Sequence, residues 1–359
     1  MYAEFYGLRE LPFALTPDPR YIYFTPSHTE VMANLHYGVE SGKGLIVVTG
    51  EVGTGKTTIL RWMMQRLDRT VMVAYIFNPR LSVPEFYQHL AALFGIQNWE
   101  TKSDLLIELG KVLESRHSRG LRTVLIIDEA HGLSPYVLEE VRLLGNFESD
   151  TSKQLQIVLT GQPELRNVLN YPDLRQLKQR VALRCDIKAL PNVEETARYI
   201  SSRLAVAGAA RPAEIFSPGA IDYIFRCSEG IPRNINNLCD NALLNGFAGG
   251  EPVISRAIIE EVATTFDLLP RDRKSTCAED NDAARIFNAA GRAELWAAGN
   301  GNGNGNGHGY AVPPAPRVPE PSIVINEYAR RSESPTTIED LGAAFSRSGL
   351  GRENNGQSL

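Results

Sequence analysis

The 359-residue chain has only four cysteines, Cys185, Cys227, Cys239 and Cys277, with no CxxC pair and no companion histidine at zinc-site spacing. Neither a zinc module nor a disulfide scaffold is indicated, and the usage fits a reducing, cytosolic setting. Excess charge is also missing: a formal net charge of −5 argues against a strongly basic nucleic-acid coat, although a balanced total is compatible with a local basic patch. No run approaches the roughly 20 apolar residues that a spanning helix needs. The opening Met1-Tyr2-Ala3-Glu4-Phe5-Tyr6 lacks the basic and apolar regions of a signal peptide. The expectation is a soluble, cytoplasmic protein, recruited to the inner membrane at most by a partner. Its length leaves room for two or three compact units.

What is present is a phosphate-binding loop. Gly50-Glu51-Val52-Gly53-Thr54-Gly55-Lys56-Thr57 is a full GxxxxGK[ST] match. The β-branched run 45–49 before it reads as a buried strand, and 58–67 after it spaces its apolar residues as a helix does. Strand, glycine loop and helix start together aim backbone N–H groups at a polyphosphate. Lys56 is placed to reach the β- and γ-phosphates, Thr57 to ligate Mg²⁺, and Thr58 to add a further contact at the helix start. A nucleoside triphosphate is the expected ligand.

Residues 1–43 hold aromatics among prolines and then a helix over 26–40, and are expected to pack on the nucleotide site. From 44 to 190 strands (71–77, 124–127, 156–160, 181–187) alternate with helices (84–93, 103–116, 135–147), which implies a mostly parallel sheet between helices. From 191 to 270 the strands stop. Four helices are expected at 192–207, 218–228, 232–248 and 255–266, a small all-helical unit. Residues 271–359 carry a Gly/Asn repeat from Gly299 to Gly307 and a proline-rich tract over 313–321. Such tracts bury too little apolar surface to order, so this tail reads as disordered.

The run Val124-Leu125-Ile126-Ile127 ends on Asp128-Glu129. A buried strand would leave Asp128 beside the phosphate loop to hold Mg²⁺, and Glu129 to orient and deprotonate the attacking water. Asn78, ending the strand over 71–77, is placed either to restrain Glu129 or simply to cap the strand. Thr160 ends its own strand and is a candidate for the γ-phosphate or the lytic water, with Gln162 as runner-up. Arg180, at a helix–strand junction, is the preferred finger arginine over Arg175. Supplied in trans, such a residue accelerates hydrolysis by roughly 10³–10⁵-fold; the alternative is a solvated helix end. Arg233, in Gly230-Ile231-Pro232-Arg233, opens a helix where cations are disfavoured, which suggests an anion partner.

In this order the pieces resemble an AAA+ ATPase. The opening Phe5-Tyr6-Gly7-Leu8, Pro12-Phe13, Thr16-Pro17-Asp18-Pro19 and Ser27-His28 adds a narrower resemblance, over about residues 1–268, to ATPases of the ExeA/GspA type. These serve general secretion, and related chains are associated with exopolysaccharide and exosortase loci. The resemblance implies ATP and Mg²⁺ as cofactors, Lys56 and Thr57 as phosphate and metal contacts, Asp128 and Glu129 as metal and water residues, and Arg233 as a lid sensor. It also implies a homo-oligomer, a ring or an ATP-dependent dimer, working with an envelope partner. Secretion members typically continue into a membrane helix and a peptidoglycan-binding part, whereas this chain runs into Gly/Asn and Pro tracts. The expectation is therefore a soluble assembly or switch ATPase. The alternative is a DNA-binding ATPase of the transposition-helper type, with Arg80 or Lys153 facing phosphates from a ring pore. Two isolated cations support that weakly.

Overall fold

The structure is a computed structural model and describes residues 1–16, 18–77, 80–149 and 152–270. The tail over 271–359 and Asn78 lie outside the described residues. In chain order the elements are α1 (Tyr2–Phe5), α2 (Pro26–Glu40), β1 (Leu45–Gly50), α3 (Lys56–Arg66), β2 (Met72–Ile76), α4 (Val83–Phe94), α5 (Lys102–Ser118) and β3 (Thr123–Ile127). There follow α6 (Pro135–Leu144), β4 (Gln156–Gly161), α7 (Glu164–Val168), α8 (Arg175–Gln179), β5 (Val181–Ile187), α9 (Val193–Val206), α10 (Pro218–Ser228), α11 (Pro232–Gly249) and α12 (Arg256–Thr265).

All five strands are parallel, in the order β2-β3-β4-β1-β5. β1, β3 and β4 are buried along their whole length, which explains their unbroken apolar runs: helices cover both faces, so no face is left to be polar. Alternate residues feed two cores. Leu45, Val47, Leu125, Ile127, Ile157 and Leu159 meet α4, α5 and α6 on one face. Ile46, Val48, Val124, Ile126 and Val158 meet α2 and α3 on the other. Truncating one of these, such as Leu125→Ala at a fully buried position, costs about 2–5 kcal/mol.

After β5 the described chain is helical, as expected. Helices α9 to α12 close a third core around Leu204, Ile224, Leu238 and Ile259, and the N-terminal residues Tyr2, Leu8, Phe13 and Tyr21 belong to it. The opening segment is tied down by polar contacts as well. Tyr2 OH donates to Asp240, Tyr6 OH to Glu251 O at 2.9 Å, and Arg9 N–H to Ala207 O at 2.7 Å. Thus only the later part of the segment reaches the nucleotide cleft, while the first part completes the helical layer.

Most boundaries differ from expectation by one or two residues. The helix expected over 135–147 ends at Leu144, because the Asn146 and Phe147 N–H groups turn back three residues to Leu143 and Leu144, tightening the last turn. The short α7 was not anticipated, because its five residues are too few for a periodic apolar pattern to show; α8 is the helix end expected before Arg180.

Candidate nucleotide-binding site

β1 delivers the chain to a tight loop whose glycines have specific work. Gly53 and Gly55 adopt φ of +84° and +98°, a region L side chains rarely enter. A Cβ on Gly53 would lie 2.5 Å from the Arg233 Cβ, so the start of α11 sits directly against the loop, with Arg233 N–H donating to Gly53 O at 3.2 Å. Gly55 is the N-cap of α3 and offers no side chain to its first turn. The amide groups there are consequently left for a ligand.

Lys56 is only 5% exposed. Its Nζ donates to Gly50 O at 2.7 Å and to Glu51 O at 2.9 Å, and one of its three donors remains. Burial pushes the Lys56 pKa down, against the pull of Glu129, Asp128 and Glu51, and Arg233 adds to the downward push. Two cations, Lys56 and Arg233, thus line one cleft of about 350 Å³ with Thr57, Thr58 and Glu129. An anion between them relieves their repulsion.

Asp128 is the hub beside that loop. It is 3% exposed, and Asp128 N–H donates to Ile76 O at 2.9 Å. Its Oδ2 accepts from Thr57 Oγ1 at 2.9 Å and from Tyr75 OH at 3.0 Å. Its Oδ1 accepts from Glu129 N–H at 2.9 Å and from Thr160 Oγ1. Strand order makes this convergence possible: β3 lies between β2, which carries Tyr75, and β4, which carries Thr160. Glu129 sits at φ +55°, a left-handed conformation that costs a non-glycine residue about 1 kcal/mol or more. Its side chain is 41% exposed, with Oε2 lying 3.3 Å from His131 Nδ1.

The residues fit a nucleoside triphosphate with Mg²⁺. The uncapped helix start and the spare Lys56 donor suit phosphate oxygens. Among the described residues no group of three His, Cys, Asp or Glu could hold a metal; a hydroxyl and one carboxylate beside a phosphate loop is instead the sparse oxygen set that Mg²⁺ accepts.

Other expected residues stand differently. The Thr160 hydroxyl is engaged with Asp128. Gln162 N–H points to His131 Nδ1 at 3.4 Å. Arg180 Nη1 donates to Arg142 O at 3.0 Å, at the end of α6, while Arg175 is exposed. Lys153 is held by Glu148 and by Gly145 O, and Arg80 is exposed.

Several cleft residues went unrecognised in the sequence. His28 Nε2 lies 3.3 Å from Thr54 O and its Nδ1 2.9 Å from Tyr23 O; burial pushes its pKa down. In the sequence it figures only as part of the Ser27-His28 signature, with no role attached; in the fold it stands three residues after the N-cap Thr25, where it closes a capping box. Tyr199, Arg203 and Asn236 line the far end of the cleft. Tyr199 OH donates to Asn236 Oδ1 at 2.8 Å. Nothing local marks them, since they look like ordinary helix residues.

Residues 39–169 match a family model described as an AAA domain. The chain carries an AAA domain. Over 252 residues it is 43% identical to "General secretion pathway protein A" of Aeromonas hydrophila, covering 70% of this chain and 46% of that one. The chain thus spans about half the length of that relative, and the resemblance to the ExeA/GspA type read from the sequence is borne out. Among solved structures, CDC6P from Pyrobaculum aerophilum superposes with a TM-score of 0.55 at 16% identity, covering 71% of this chain and 70% of that one. The ORC2 protein of Aeropyrum pernix, in ADPNP–ADP complexes, gives 0.51 at 15% identity, covering 71% and 72%. At these identities the likeness establishes the fold alone: an AAA-type parallel sheet among helices, followed by a helical layer. Among the described residues no helix is long and apolar enough to cross a membrane.

Proposed function

We propose that the chain binds and hydrolyses ATP with Mg²⁺, and that it acts as an oligomerising assembly or switch ATPase for a bacterial secretion or exopolysaccharide envelope system. In this reading residues 44–190 form the catalytic unit, 191–270 the lid and 1–43 a strap between them. The chain would work in the cytoplasm, drawn to the inner membrane by a partner protein. The observation that carries the reading is the cleft itself: Lys56, Thr57, Glu129 and Arg233, from three separate elements, line one space, with Asp128 bonded to Thr57 at its edge.

In the loaded site the amides from Gly53 to Thr58 and the Lys56 ammonium bind the phosphate oxygens. Thr57 and Asp128 would hold Mg²⁺, whose positive charge would offset the charge developing on the transferring phosphoryl group. Glu129, exposed toward the cleft and held by its own backbone N–H on Asp128, orients a water and takes its proton. Arg233 reports the phosphates to the lid, because its backbone is already fastened to Gly53 O. Thr160 reaches the phosphate side by releasing Asp128. Arg180 or Arg175 is offered across a subunit boundary; Arg175 needs no contact broken to do so, whereas Arg180 must leave Arg142 O.

The alternative, a DNA-dependent helper, loses one of its two cations, for Lys153 is spent on Glu148 and Gly145. The test is Glu129→Gln. Binding of a fluorescent ATP analogue should match the wild type while turnover falls by about 10²–10⁴-fold, the usual worth of a general base. Undiminished turnover would remove Glu129 from the chemistry.

A further inference from the structure

Asp128 has a partner that the phosphate-loop reading does not supply. A carboxylate offers about four lone-pair sites. All four are taken, by Thr57, Tyr75, Thr160 and the Glu129 amide. In the proposed loaded site two of these donors would be drawn elsewhere, the Thr57 hydroxyl to the metal and the Thr160 hydroxyl to the phosphates. The Glu129 amide belongs to the backbone and fixes Oδ1 alone. Tyr75 is the one side chain that anchors Oδ2 from outside the nucleotide cleft, which it does not line.

The strand geometry holds Tyr75 to this task. It pairs with Ile126 across the β2–β3 ladder, two residues before Asp128, and the next residue, Ile76, accepts the Asp128 amide at 2.9 Å. Its ring stacks on Phe77 with centroids 6.3 Å apart and planes 24° from parallel. An ionised carboxylate only accepts, so the phenol hydroxyl is the donor of the 3.0 Å bond to Asp128 Oδ2.

We propose that Tyr75 is a positioning residue for the metal: its hydroxyl holds one lone pair of Asp128 Oδ2 and with it the carboxylate plane, so that the lone pair Thr57 gives up would face the Mg²⁺ hydration shell. The inference rests on the nucleotide reading above. Groups that orient a metal's carboxylate from behind are worth roughly 10–100-fold in metal affinity.

The experiment is Tyr75→Phe, which keeps the ring and its stacking. Binding of a fluorescent non-hydrolysable ATP analogue is followed against Mg²⁺ concentration and, separately, in EDTA. The Mg²⁺ midpoint should rise about tenfold, while binding in EDTA, which needs the loop and Lys56 but no metal, should be unchanged. An unchanged midpoint would overturn the proposal. An equal fall in EDTA would overturn it too, by showing that the hydroxyl supports the whole site and not the carboxylate. A wild-type protein whose nucleotide binding ignores Mg²⁺ would instead overturn the proposed function, and this inference with it.

Discussion

Replacing Arg203 by methionine should unfasten the N-terminal segment from the helical layer. Arg203 is only 8% exposed, on α9, and has no carboxylate partner within ion-pair distance among the described residues. Its Nε donates to Pro12 O at 2.7 Å, and longer bonds of 3.3 Å and 3.4 Å reach Tyr199 OH and Ala14 O. The guanidinium also lies 4.7 Å from the centroid of the Tyr21 ring. Methionine keeps an unbranched stem in the same space and removes every donor. One good bond from a charged donor contributes about 1.5–3 kcal/mol, and the ring contact about 0.5–2 kcal/mol. Against this, part of the cost of burying the cation is recovered. A net loss of about 2–4 kcal/mol follows. At about 2–4 °C per kcal/mol for a chain of this size, the unfolding midpoint should fall by about 5–15 °C. Calorimetry in nucleotide-free buffer measures it, and limited proteolysis should report faster cutting near Leu11 and Leu15, which are already exposed. The control is Arg211→Met, whose ion pair with Glu214 has side chains 77% and 66% exposed and is worth at most about 1 kcal/mol. A midpoint for Arg203→Met within about 2 °C of the wild type would refute the reasoning, as would an equal fall in Arg211→Met.

Three more expectations concern the cleft, besides that for Tyr75. Lys56→Ala should abolish binding of a fluorescent ATP analogue, since the buried ammonium has no substitute; binding at wild-type strength would contradict the site. Arg180→Ala should lower turnover, and mixing it with Lys56→Ala should restore part of it if the arginine acts in trans; no rescue, with rescue by Arg175→Ala, would move that role to Arg175. Burial holds the His28 pKa in the fold below the ordinary histidine value of about 6.5, so the unfolded chain binds its proton first. Stability should therefore fall as pH drops below about 6.5 and level off once the folded form is protonated as well. His28→Asn should flatten that part of the stability profile; an identical slope would mean the ring titrates as if exposed.

The phosphate loop was legible because everything it needs is local: a β-branched run, three glycines and a helix start within about twenty residues. The strand ending on Asp128 was legible for the same reason. What surrounds Asp128 was not. Thr57, Tyr75 and Thr160 come from α3, β2 and β4, and only the order β2-β3-β4-β1-β5 brings them to one carboxylate; parallel strands joined through helices leave no short-range trace of that order. The Thr160 hydroxyl illustrates the gap, because its place at a strand end was visible while its engagement with Asp128 was not. Arg180 is similar: its junction position was readable, but the carbonyl it meets lies 38 residues away. The sequence places the whole segment 1–43 on the nucleotide site. In the fold, Tyr2, Leu8 and Phe13 are needed by the helical layer, and only the stretch from Ala14 onward lines the cleft.

The most direct test of the central claim is a pair of measurements on Glu129→Gln and the wild type, made with ATP and Mg²⁺ over a range of protein concentrations. Both proteins should bind ATP alike, phosphate release by Glu129→Gln should be about 10²–10⁴-fold slower, and the specific turnover of the wild type should climb with protein concentration as subunits assemble. Phosphate release by Glu129→Gln at the wild-type rate, or failure of the wild type to bind ATP at all, would contradict that claim.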